Sequence, residues 1–171
     1  TGDSVDTLFP KAGVAIHDFQ SIAYAPNGDL LVKTKSNLTR FNGETFELLG
    51  SLFNNSGDRF SIGPEGDLYL LNFRSLDLVL RYDGETGARL KSFLQRGDVG
   101  LNDPSIRVAF AFGPDGNFYI AHGDAVGRVQ RFNGQTGEFI DDYLESANVV
   151  DVVELLFTSQ GDLVTVSAVQ G

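Results

Sequence analysis

A strand–turn–strand unit recurs four times along this chain, and it limits the fold more than any other feature. The fullest copy is Phe112-Gly113-Pro114-Asp115-Gly116-Asn117-Phe118-Tyr119-Ile120-Ala121. Its relatives are Ile62-Gly63-Pro64-Glu65-Gly66-Asp67-Leu68-Tyr69-Leu70-Leu71, Tyr24-Ala25-Pro26-Asn27-Gly28-Asp29-Leu30-Leu31-Val32 and, more loosely, Phe157-Thr158-Ser159-Gln160-Gly161-Asp162-Leu163-Val164. A second turn follows the first three copies, at Asn42-Gly43, Asp83-Gly84 and Asn133-Gly134. Asn-Gly and Asp-Gly accept the positive φ that hairpin turns between twisted strands require. Pro26, Pro64 and Pro114 stand just before the first turn, where a ladder N–H is dispensable.

Each full repeat therefore holds four strand-sized pieces. The first is expected at 21–25, 59–63 and 108–113, and the second at 30–34, 68–72 and 118–122. The third is expected at 37–41, 78–82 and 128–132, and the fourth at 46–53, 88–94 and 138–144. A final pair follows at 153–158 and 163–168. The opening segment, Thr1 to Phe9, parallels Thr86 to Leu94 and Thr136 to Leu144, so the chain is expected to open on a fourth strand. Runs such as Leu68-Tyr69-Leu70-Leu71 are apolar without alternation, which implies burial on both sheet faces. The many β-branched and aromatic residues, broken by Gly every eight to twelve positions, disfavour a helix.

The turn glycines Gly28, Gly66, Gly116 and Gly161 recur after 38, 50 and 45 residues. Periods in this range with four strands each are the signature of a β-propeller. The expectation is an all-β propeller of four-stranded antiparallel blades within one domain, 1–171. Residues 1–20 are the last strand of a preceding blade and a linker; 21–53, 59–94 and 106–144 are full blades; 152–171 are the first two strands of a further blade. Three readings of the ring stay open: a piece of a longer propeller, a small ring of about four blades, or two chains completing one ring. Open strand edges at the ends invite pairing, so a protein partner or self-association is expected.

With 171 residues the chain is long enough to bury roughly 70% of its unfolded surface. Its net charge of −10 disfavours nucleic acid and anionic membrane surfaces, which need clustered Lys and Arg. There is no cysteine, which excludes disulfides and thiolate-held metals. No apolar run approaches the roughly 18 residues of a spanning helix, so no direct membrane insertion is expected. The chain opens at Thr1 and contains no Met, so an upstream segment is expected to have been removed or not included.

The segment Phe112 to Ile120, followed by Val129-Gln130-Arg131-Phe132-Asn133-Gly134-Gln135-Thr136-Gly137-Glu138-Phe139, resembles the NHL-type and streptogramin-lyase-like propeller repeats, a group that includes gluconolactonase-like enzymes. The likeness extends over nearly the whole chain and rests on turn and core residues. It implies the propeller fold. It also implies a choice between enzymes, with His, Glu, Asn or Asp side chains converging on a central channel, and modules that only bind. No catalytic residue of the family maps onto a position here.

The loops joining strand two to three, and strand four to the next blade, should lie on one end, where a rigid scaffold usually carries binding. In them, Phe73 and Arg74 form an aromatic–Arg pair of the kind that anchors interfaces, with Asp77 beside them. His122 with Asp124 could orient a general base, although a lone surface His near an Asp is the commoner meaning. Asp98, Asn102 and Asp103 offer oxygens of the kind calcium takes, and calcium is the one cofactor considered. Asp29, Asp67 and Asp162 follow turn glycines and should cap turns through their side chains. Arg40, Arg81 and Arg131 recur in strand three, where the stem can pack while the guanidinium pairs with a neighbouring blade. The expected function is a non-catalytic binding or assembly module for protein, glycan or peptide, in an extracellular or periplasmic setting. The alternative is a divalent-metal-dependent lyase or lactonase-like hydrolase with its site in the channel.

Overall fold

A computed structural model describes residues 17–54, 57, 59–72, 75–100, 108–123, 127–146, 149 and 151–168. These residues form three four-stranded antiparallel sheets and a hairpin, each sheet joined in simple up-and-down order. The first blade is β1 (Phe19–Tyr24), β2 (Leu30–Thr34), β3 (Asn37–Phe41) and β4 (Leu48–Asn54). The second is β5 (Arg59–Ile62), β6 (Leu68–Leu71), β7 (Asp77–Tyr82) and β8 (Arg89–Gln95). The third is β9 (Val108–Phe112), β10 (Phe118–Gly123), β11 (Gly127–Phe132) and β12 (Phe139–Glu145). The hairpin is β13 (Val152–Phe157) and β14 (Leu163–Ser167). The first strands of successive sheets approach one another, β1 against β5 and β13 against β9. This is the arrangement of a partial β-propeller.

The second strand of each blade is its core. β2 and β6 are buried along their whole length, and Phe118 to His122 of β10 likewise. Unbroken apolar sequence fits here because each such strand is covered on both faces. Between the second and third blades lie Tyr69, Phe93, Phe112 and Phe118, with edge-on ring pairs whose centroids are 4.7 to 5.3 Å apart. Each such pair contributes about 0.5–1.5 kcal/mol beyond the area it buries. Phe53 stacks on Tyr82 at 4.1 Å across the first and second blades. Aromatic rings therefore supply much of the inter-blade contact.

Two turns of each blade lie back to back. A Cβ on Gly43, Gly84 or Gly134 would run into the carbonyl oxygen of Gly28, Gly66 or Gly116 respectively. The two glycine turns read from the sequence are thus one packed unit. Fourth strands start later than expected at Leu48, because Phe46 sits at φ 59 and its N–H closes a turn on the Asn42 carbonyl. Each fourth strand carries two bulges, with Leu49 and Leu52, Leu90 and Phe93, and Ile140 and Tyr143 as the extra residues. A short 3-10 turn at Arg96–Val99 was not expected from the sequence. It is too short to leave a periodic apolar pattern.

Candidate functional site

Turns and loops separate to opposite ends of the blades. Arg40 of the first blade donates to the Glu85 carbonyl at 3.0 Å, and Arg81 of the second donates to the Gln135 carbonyl at 3.3 Å. Both acceptors are in the β3–β4-type turn of the next blade, so the glycine turns share one end. By the antiparallel order, the longer connections share the other.

At the turn end the side chains are committed to structure. Asn42, Asp83 and Asn133 each accept backbone N–H bonds from the two residues closing their turn. Asn27 and Asp115 cap the first turn in the same manner, accepting from Asp29 and Asn117. The capping role expected of Asp29 falls instead to Asn27, two residues earlier. Asp67 accepts from Arg81 at 2.6 Å, and Asp29 lies 3.4 Å from Arg40. A carboxylate facing the strand-three guanidinium gains more from that charge than from a neutral turn amide. The expected reach of these arginines to a neighbouring blade is observed for Arg40 and Arg81. Arg131 pairs with Asp141 of its own blade and lies 3.9 Å from Asp115.

Tyr69 sits beside this network, donating its hydroxyl to Glu65 and lying 3.3 Å from the Gly134 carbonyl of the next blade. Burial, reinforced by the Glu65 carboxylate, pushes its phenol far above the ordinary tyrosine range. Tyr119 repeats the pattern with Asp115 at 2.8 Å, and burial followed by that hydrogen bond raises it to about 12. Burial pulls the Asp115 carboxyl up, but hydrogen bonds from Asn117 and Tyr119 outweigh it and hold the group below the usual carboxylate range. A cleft of about 330 Å³ opens between the first two blades here, lined by Pro26, Asn27, Glu65, Asp67, Asp83 and Glu85. No sequence pattern marks this cleft, since its walls come from separate repeats.

The loop end holds what can be described of the sequence-based candidates. Asp77 opens β7, donates its backbone N–H to the Ser75 hydroxyl, and pairs with Arg89 at 3.1 Å. Arg96 is buried and ties this loop down, donating from Nε to the Ser75 carbonyl at 3.0 Å and from its backbone N–H to Leu76. Leu76 stands 80% exposed between them, an apolar side chain on an anchored loop. Neither Arg96 nor Leu76 was singled out by sequence, because each stands at a non-repeating position. Asp98 accepts from the Gln95 N–H at 2.7 Å and caps the short turn.

His122 corrects the expectation of a surface histidine. It is buried at the end of β10, with Nε2 3.2 Å from Gln130 Oε1, and Gln130 donates in turn to Asp142 at 3.0 Å. Three adjacent strands thus carry a His–Gln–Asp chain into the sheet. Lys33, at the equivalent end of β2, is fully buried with its ammonium bonded to Gln20 and to the Thr34 carbonyl. Phe73, Arg74, Asn102, Asp103 and Asp124 lie outside the described residues. Among the described residues no three His, Asp or Glu side chains are grouped to hold a metal ion. No helix among them is long and apolar enough to cross a membrane.

No family profile matches the sequence, and no curated protein matches it. Solved structures do. The extracellular domain of the putative one component system BT4673 from B. thetaiotaomicron aligns over 86% of this chain at 14% identity and TM-score 0.57. The Dos1 propeller aligns over 87% at 14% identity and TM-score 0.58, and the N-terminal domain of Nup159 over 91% at 14% and 0.52. This chain spans 20% of the first, 42% of the second and 41% of the third. At this identity the likeness establishes the β-propeller fold.

Proposed function

We propose that this chain is a non-catalytic β-propeller module that binds a protein partner through the loop end of its blades, in an extracytoplasmic setting. The observation that carries the reading is the loop over Ser75 to Asp77, which holds exposed Leu76 on a backbone fixed by buried Arg96. A pre-ordered loop loses little entropy on binding, and an apolar tip flanked by an ion pair suits a protein surface. Among the described residues, the polar side chains of the turn end are spent on turns and blade contacts, which favours the loop end as the binding face. The extracytoplasmic setting is supported by the BT4673 likeness, since that protein is described as an extracellular domain. Membership of the NHL-type and streptogramin-lyase-like repeats is part of the same reading, supported by the turn motifs.

Photo-crosslinking in the native host tests it. A photoreactive residue at Leu76 or Asp98 should give discrete protein adducts, and one at Glu85 or Gln135, on the turn end, should not. Equal yields from both ends would remove the basis for the reading. Calcium supplies the second arm. A melting-temperature rise on adding it, lost in Asp98→Asn, would favour the metal-dependent alternative.

A further inference from the structure

The blade contacts repeat by a rule, and the rule leaves one set of receiving groups without its described counterpart. The first and second blades each receive the β3–β4-type turn of the next in two ways. The strand-three arginine donates to a carbonyl in that turn: Arg40 to Glu85, and Arg81 to Gln135. The second bulge residue of the fourth strand, Leu52 or Phe93, then lies against the second glycine of the turn. A Cβ on Gly87 would stand 2.7 Å from the Leu52 carbonyl carbon, and one on Gly137 would stand 2.6 Å from the Phe93 oxygen.

The third blade carries the same receiving pair, Arg131 and the second bulge residue Tyr143. Phe93 is buried under the turn it receives, whereas Tyr143 is 43% exposed. In the hairpin that follows, β14 pairs only with β13, and its other edge has no partner among the described strands.

We infer that the open edge of β14, together with Arg131 and Tyr143, is a docking surface for a two-stranded β-hairpin whose turn reads Asx-Gly-x-Thr-Gly. The hairpin's first strand pairs with β14. Its turn carbonyl takes the Arg131 guanidinium, and its second glycine seats on the Tyr143 backbone, where any Cβ would collide. The argument for this occupant is continuity with two described interfaces of the same design. The surface is distinct from the loop end, and the inference stands or falls independently of the proposed partner there.

The probe is a synthetic peptide of residues 127–146, the third blade's own hairpin, titrated into the isotopically labelled chain. Saturable binding is expected, with slowed amide exchange across Leu163 to Ser167. A Gly137→Ala peptide should bind at least roughly tenfold more weakly, and Arg131→Gln in the chain should cost a similar factor. The peptide variant leaves the chain untouched, so its result does not depend on how a mutant folds. A second format, the same hairpin fused after Gly171 through a flexible linker, should raise the melting temperature, and its Gly137→Ala form should not. Absence of binding together with no rise in the fused format would overturn the inference. So would equal binding of the two peptides, or binding without protection of β14. Self-association of the chain that protects Leu163 to Ser167 before peptide is added would also overturn it, assigning the edge to a second copy.

Discussion

Replacing Gly87 by Ala should cost far more than its place in a hairpin turn suggests. Gly87 lies at φ 71, where a non-glycine residue costs about 1 kcal/mol. That term alone does not demand glycine, since Phe46 occupies the equivalent place at φ 59 in the first blade. The larger cost comes from the preceding blade. A Cβ on Gly87 would lie 2.7 and 2.9 Å from the Leu52 carbonyl carbon and Cα, with the oxygen closer still. Comfortable carbon contacts are about 3.5–4.0 Å, so the second blade must withdraw by the better part of an ångström. Overpacking of this kind costs about 1–3 kcal/mol, which brings the total to about 2–4 kcal/mol. Gly116→Ala is the control. It has φ 76 and nothing within 4 Å of the added Cβ, so it should lose only the backbone part. Urea unfolding of both variants, followed by far-UV circular dichroism, measures the difference. If Gly87→Ala is no less stable than Gly116→Ala, the close approach between blades is not what holds that glycine.

Tyr69→Phe should destabilise by about 1–2 kcal/mol, since it removes a hydroxyl from Glu65 and the Gly134 carbonyl, as read by thermal melts at neutral pH. The wild-type chain should lose stability as pH rises above about 10, the ordinary tyrosine value, and go on losing it towards about 12, where Tyr119 titrates in the fold. The unfolded phenols ionise first, so alkali favours the unfolded state; Tyr69→Phe combined with Tyr119→Phe should flatten the slope in pH-dependent urea unfolding. Asp115 gives the opposite sign. Its carboxyl is held below the ordinary range, so its contribution is present above about pH 4 and is lost as pH falls through the lower folded value; Asp115→Asn should reduce the acid slope. Arg81→Met should cost about 1–3 kcal/mol, because it leaves half-buried Asp67 and Glu65 facing each other and frees the Gln135 carbonyl; an Arg81→Met, Asp67→Asn double variant should recover part of that loss.

Within each repeat the sequence alone determined the number of strands, their order and the place of both turns. Those are local matters: alternating turn chemistry and strand-length apolar runs are written in neighbouring residues such as Asn117 to Ala121 or Asn133-Gly134. The arginines of strand three were legible for the same reason, as a side chain that recurs at a fixed distance from a turn. Tertiary structure decided what crosses between repeats. His122 reads as a polar loop residue, yet it is buried, because Gln130 on the adjacent strand, itself bonded to Asp142 one strand further out, offers it a hydrogen bond that no linear pattern shows. Asp67 reads as a turn cap, yet Arg81, 14 residues away, claims it. Arg96, Leu76 and the cleft between the first two blades exist only once separate segments are stacked. A repeat specifies its own strands by short-range propensity; which faces meet, and which polar groups are buried with a partner, is set by the stacking of whole blades.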